Sequence, residues 1–167
     1  MSGKFKNSNK TKFLTTLPKL SIENYDLQLI ERSVFNFSFF DGTQDAGSDF
    51  SSLSAAEMTS LIEKIKNYSR SSLNYWRQQR CGSGSLKILE IYGMFPKNSD
   101  FTHPSGVPHD VLWGRFRLDN LGRLIGFVLP PDFDHKFNKE RTYAYSCNTF
   151  YVVFLDSDHR FYKTENK

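Results

Sequence analysis

In SVFNFSFF (33–40), Phe35, Phe37 and Phe39 alternate with Asn36 and Ser38. A period of two predicts a half-buried strand, and Asp41-Gly42 supplies the turn that ends it. Before it, SIENYDLQLIER (21–32) is a weakly patterned candidate for a short helix. After it, TQDAGSDFSSL is polar and reads as a loop. Ser54 with Glu57 three residues on forms a capping box. The helix it predicts carries Met58, Leu61, Ile62, Ile65, Tyr68, Ser72, Leu73 and Trp76 at three- and four-residue steps. One face is therefore apolar to about residue 79, with an interruption expected at YSRSS and a stop at Cys81-Gly82.

A second strand is expected at LKILEIY (86–92), rich in β-favouring side chains. GMFPKNSDFTHPSGVPHDV follows, and its prolines at 96, 104 and 108 exclude a regular interior element, so this is a long loop. WGRFRLDNLGRLIGFVLP (113–130) is a hairpin turning at DNLG. With Gly122 in the left-handed position of a three-residue loop, Asp119 faces Arg123, Arg117 faces Ile125 and Arg115 faces Phe127. Trp113, Arg115, Arg117, Asp119 and Arg123 then share one face, and Phe116, Leu118, Leu124, Gly126 and Val128 form the opposite, core-facing one. A loop one residue longer separates Arg123 from the other two arginines. After a second irregular loop, the Phe150–Leu155 run is apolar at every position. It predicts a strand covered on both faces, ending in Asp156-Ser157-Asp158-His159. The expected fold is α+β: a mainly antiparallel sheet of about five strands with a helical layer, 54–80, packed on one face.

Composition changes this picture in one respect. The chain has 167 residues and a formal charge of +4, but residues 1–22 hold five lysines and no acid. Setting those five aside leaves 17 basic residues against 18 acidic ones. We therefore expect a flexible basic tail over 1–20 and a single, nearly neutral domain over 21–167, on which any nucleic-acid role rests on a local patch. No apolar run is long enough to span a membrane and the first residues lack a signal-peptide h-region, so a cytoplasmic location is expected. Cys81 and Cys147 read as free thiols without metal-site spacing. His103 and His109, six apart beside Asp100 and Asp110, match no metal pattern, and no cofactor or metal is expected.

Arginines on one hairpin face suit a phosphate, because the guanidinium fork offers paired donors and stays charged. The same residues also suit surface ion pairs with Asp119, Asp156 or Asp158, and spacing alone does not choose. His159 is a candidate for proton transfer near neutral pH, and equally for a hydrogen-bonded structural role. Trp113 and the nearby tyrosines offer rings on which a base stacks.

RFRLDNLGRLIGFVLP followed by NTFYVVFLDSDHRFYK resembles the RelE/ParE-like toxin superfamily: a basic strand, a turn, an Arg-initiated strand, then an apolar strand ending in His and Arg close to Tyr. The resemblance covers about a third of the chain. It implies a metal-independent endoribonuclease of a toxin–antitoxin pair, acting on RNA, ribosome-bound mRNA included, and controlled by an antitoxin protein. Arg115, Arg117 and Arg123 would then stabilise the phosphate and His159 would transfer the proton, these four being catalytic. Trp113, Arg160 and Tyr162 would bind the substrate. The neutral body and long loops fit a rival reading, a non-enzymatic RNA- or protein-binding module of a defence or regulatory system. A small-molecule pocket between loop 93–112 and the sheet is a third.

Overall fold

The apolar run at 150–155 becomes an interior strand of the sheet, and the rest of the fold is arranged around it. The computed structural model describes residues 9, 12–13, 29–82, 84–119, 122–136 and 143–163. The chain divides into Met1–Ile30 and Glu31–Lys167, and the sheet with its helices belongs to the second unit. Most of the basic segment 1–20 and residues 21–28 of the expected first helix lie outside the described residues; Leu29–Glu31 form a single 3-10 turn.

Five strands form one sheet: β1 (Val34–Asn36), β2 (Leu89–Gly93), β3 (Leu112–Arg117), β4 (Arg123–Val128) and β5 (Thr149–Asp156), in the order β1-β5-β4-β3-β2. β2, β3, β4 and β5 pair antiparallel, while β1 joins β5 in parallel. The fold is α+β, a mostly antiparallel sheet with helices against it. β1 is shorter than the 33–40 run, because at Asn36 the side chain accepts the Ser38 N–H and the chain turns away.

Two helices form the layer on one face: α1 (Ala55–Tyr68) and α2 (Leu73–Gln78). The capping box is in place, Ser54 Oγ accepting the Glu57 N–H and Glu57 accepting the Ser54 N–H. The interruption falls at YSRSS, where Ser72 starts a new helix by accepting the Tyr75 N–H. The Tyr68 carbonyl, orphaned by the break, accepts both Trp76 Nε1–H at 2.6 Å and the Ser33 hydroxyl at 3.0 Å. Leu61, Tyr68, Leu73 and Trp76 pack onto Leu89, Phe116, Leu118, Leu124, Val128, Phe150, Val152 and Leu155. This is the core side that the alternation in the hairpin predicts.

The opposite face carries a second core. Trp113, Ile125, Phe127, Val153 and Phe154 are covered by Phe101, Val107 and Val111 of the proline-containing loop and by Phe161 beyond β5. Burying each such large side chain is worth about 1.5–3 kcal/mol. The loop is irregular, as its prolines require, yet it seals half of the sheet.

The hairpin register differs from the expected one. Arg117 pairs with Arg123, Arg115 with Ile125 and Trp113 with Phe127, a slip of two residues. Asp119 cannot face Arg123, because at φ 53° it has left the extended region, and the loop closes instead through Leu118 N–H to the Gly122 carbonyl at 3.0 Å. A slip of two preserves parity, so Arg115, Arg117 and Arg123 do share a face.

Candidate phosphate-binding cleft

Glu90 lies opposite Arg115 on β2, and Asp156 lies opposite Arg123 on β5. Asp156 reaches this face through a bulge: Ile125 pairs with Phe154 but Gly126 with Val152, leaving Val153 as the extra residue. The bulge reverses the alternation, sending Leu155 into the helix-side core and Asp156 to the side of the arginines. Beyond the second core the same face opens into a cleft of about 590 Å³. Arg115, Arg123, Glu90 and Tyr92 come from the sheet, His159, Tyr162 and Lys163 from the segment after β5, and Leu86 from the approach to β2.

Arg115 is the least conventional of these. Its side chain is 8% exposed, and Nη2 donates to Glu90 Oε2 at 2.6 Å. Nε and Nη1 are buried and have no partner among the described residues; the same holds for Arg123 Nε. Three guanidinium nitrogens of the pair thus make no hydrogen bond to the described residues. Burial, and then the Arg115 charge, hold the Arg123 pKa below its ordinary value. The cleft thus gathers three cations, of which Arg115 is paired with Glu90 and Lys163 with Asp100, while Asp156 lies opposite Arg123.

His159 takes a left-handed backbone conformation, φ 62°, in the turn after β5. Although the residue is exposed, partial desolvation lowers its pKa, and the positive charges of Arg123, Arg115 and Arg117 lower it further, opposed by Asp156. The imidazole is accordingly neutral at pH 7, able to accept a proton. Tyr92 and Tyr162 stack with centroids 4.7 Å apart and planes 7° apart, while Tyr162 remains 43% exposed. Burial pushes the Tyr92 hydroxyl up to about 12, against the pull of Arg115 and Arg123.

The sequence-derived residues therefore divide. Arg115, Arg123, His159 and Tyr162 meet in the cleft. Arg117 stands at its margin, Nε donating to the Lys87 carbonyl at 3.1 Å. Trp113 is fully buried among Phe95, His103, Phe127 and Phe161, with no free ring face for a base. Arg160 turns away, Nε to Asp100 at 3.1 Å and Nη1 to the Asp45 carbonyl at 3.1 Å. Trp113 and Arg160 are packing and loop-tethering residues here. Sequence reasoning missed Glu90, Tyr92 and Lys163. The signal was present for the first two: in ILEIY the apolar Leu89 and Ile91 face the helices, which leaves Glu90 and Tyr92 on the arginine side.

His103 and His109 stack at 4.3 Å in the covering loop, and burial and the neighbouring imidazole lower the His103 pKa. Cys81 and Cys147 are free thiols; the Cys147 thiol is pushed up by burial and by Asp134, and donates to the Pro130 carbonyl. Among the described residues no helix is long and apolar enough to cross a membrane.

Compared with known proteins, the chain matches no family model, no curated protein and no solved structure.

Proposed function

We propose that this cleft binds and cleaves RNA, making the protein a toxin-like endoribonuclease in which the chain's own side chains perform the transfer. The observation that carries the reading is that two arginines, Arg115 and Arg123, line one cleft with an imidazole whose pKa is lowered, His159. Arg115 and Arg123 hold the non-bridging oxygens of the phosphoryl group, where charge grows as the fifth oxygen approaches. His159 takes the proton of the ribose 2′-OH, the 2′-oxygen bonds to phosphorus, and the bond from phosphorus to the 5′-oxygen breaks. The imidazolium then returns the proton to the leaving 5′-oxygen, so the proton count closes on one residue. The exposed face of Tyr162 is available to stack an adjacent base. An antitoxin-type protein covering the cleft would silence it.

The test is incubation of the purified protein with end-labelled RNA. We expect fragments ending in 2′,3′-cyclic phosphate, and no reaction where the attacking 2′-OH is replaced by hydrogen. His159→Ala and Arg115→Ala should each lower the rate by about 10²- to 10³-fold. RNA left intact by the wild-type protein would overturn the enzymatic reading. Intact RNA retained with strong salt dependence would support the rival one, an RNA-binding module.

A further inference from the structure

Asp156 is fully buried, yet among the described residues its carboxylate makes no ion pair within the cleft. Oδ1 accepts the Arg160 N–H at 2.8 Å and Oδ2 accepts the Phe161 N–H at 3.1 Å. Both carboxylate oxygens are thus committed to backbone donors four and five residues ahead, and the segment between them, Ser157–Asp158–His159, is closed into a loop. Phe161, with no exposed surface, anchors the far end against Phe95, Phe101, Trp113 and Phe154. His159 sits inside this closure in the left-handed conformation, which is uncommon for a non-glycine residue.

We infer that Asp156 is the positioning residue of the cleft: its carboxylate, bridging the Arg160 and Phe161 amides, fixes the turn that presents His159 to Arg115 and Arg123. The inference rests on the reading of His159 as the proton carrier for its catalytic consequence, and on the hydrogen bonds alone for its structural one. An ordinary surface turn does not need a buried charge. Here the carboxylate satisfies two amides of the turn and, lying opposite Arg123, keeps a counter-charge beneath the arginines. The groups facing His159 are Arg123 from β4, Arg115 and Arg117 from β3, and Asp156 from β5; Glu90, Tyr92, Tyr162 and Lys163 line the same cleft.

The test compares wild type with Asp156→Asn, which keeps the shape but turns one acceptor into an NH₂ group, and with Asp158→Asn, an exposed acid two residues on. Amide exchange and the imidazole C2–H titration of His159 are read by NMR. In Asp156→Asn the Arg160 and Phe161 amides should exchange at least about tenfold faster while the β3–β4 amides keep their protection, showing a folded sheet. The His159 midpoint should fall, because an attraction for imidazolium is lost and the three arginines remain. RNA cleavage should lose about 10- to 100-fold in kcat with KM little changed. Asp158→Asn should leave all three readouts as in wild type.

Unchanged amide exchange and an unchanged midpoint in Asp156→Asn would overturn the inference. So would equal shifts in Asp158→Asn, which would reduce the effect to net charge. If Asp156→Asn does not fold, Phe161→Leu loosens the far anchor of the same loop, and unaltered His159 titration and Arg160 exchange there count against it. If wild-type protein cleaves no RNA, the functional reading fails, and the amide and imidazole measurements still decide the role of Asp156.

Discussion

A guanidinium buried with two idle nitrogens is costly, and Arg115 tolerates the position only because Glu90 shares its charge. The geometry of the fork therefore matters more than the charge. Arg115→Lys should keep the ion pair yet lower affinity for short RNA at least about tenfold, measured by fluorescence anisotropy, since an ammonium cannot reach two oxygens from this depth. Glu90→Gln has the opposite sign: releasing Arg115 from its carboxylate should tighten phosphate binding. His159 governs pH. Its pKa lies below the usual histidine value, so the neutral, proton-accepting form prevails at pH 7 and is lost as pH falls. The profile of kcat/KM should be flat near neutrality, with an acid limb whose midpoint lies below about 6.5. A limb above that value would mean that the imidazole is stabilised in its charged form and does not serve as the base.

At the scale of elements, the hairpin turn decides whether the arginines converge. Gly122 has φ 82°, and a Cβ there would come within 2.3 Å of the Asp156 carbonyl. Gly122→Ala should therefore cost more than about 1 kcal/mol, seen as a lower Tm, and should disturb the cleft because the same contact joins the turn to the end of β5. Ser54→Ala, which removes a cap far from the cleft, should cost about 1 kcal/mol and leave RNA binding unchanged. The elements themselves were legible because each has a local cause: the capping box starts α1, the serines at 69, 71 and 72 divide the helices, and the unbroken apolar run makes β5 interior. The register of the hairpin was not, because Asp119 has the same sequence signature whether it closes a turn or pairs with Arg123. Nor was the fate of Trp113 and Arg160. Period-two alternation places Trp113 on the arginine face, but the covering loop buries it, and no pattern along the chain reveals that Asp100 captures Arg160 from sixty residues away. The bulge at Val153 was invisible for a similar reason, since in an all-apolar strand either parity looks the same.

For the whole molecule, charge is local rather than global. A body with nearly equal numbers of acids and bases has little long-range attraction for RNA, so binding to residues 31–167 should depend on salt through the few cations of the cleft. Each phosphate contact contributes about 0.7 to the slope of log K against log salt for a single strand, and Arg123→Ala should reduce the slope by about that much. The strand order bears on something else, the way the protein is made. β5 lies between β1 and β4 although it follows both in the chain, so β1 has no complete partner until the chain has grown past Tyr151. A ribosome that has reached Asn148 has delivered α1, α2 and the hairpin, but neither the interior strand β5 nor Phe161, which packs in the second core. Folding must wait for that stretch, a late and non-local closure. The same stretch ends in His159. A chain that stops short of it therefore lacks both an interior strand and the imidazole of the cleft, and assembly of the site is tied to completion of the sheet.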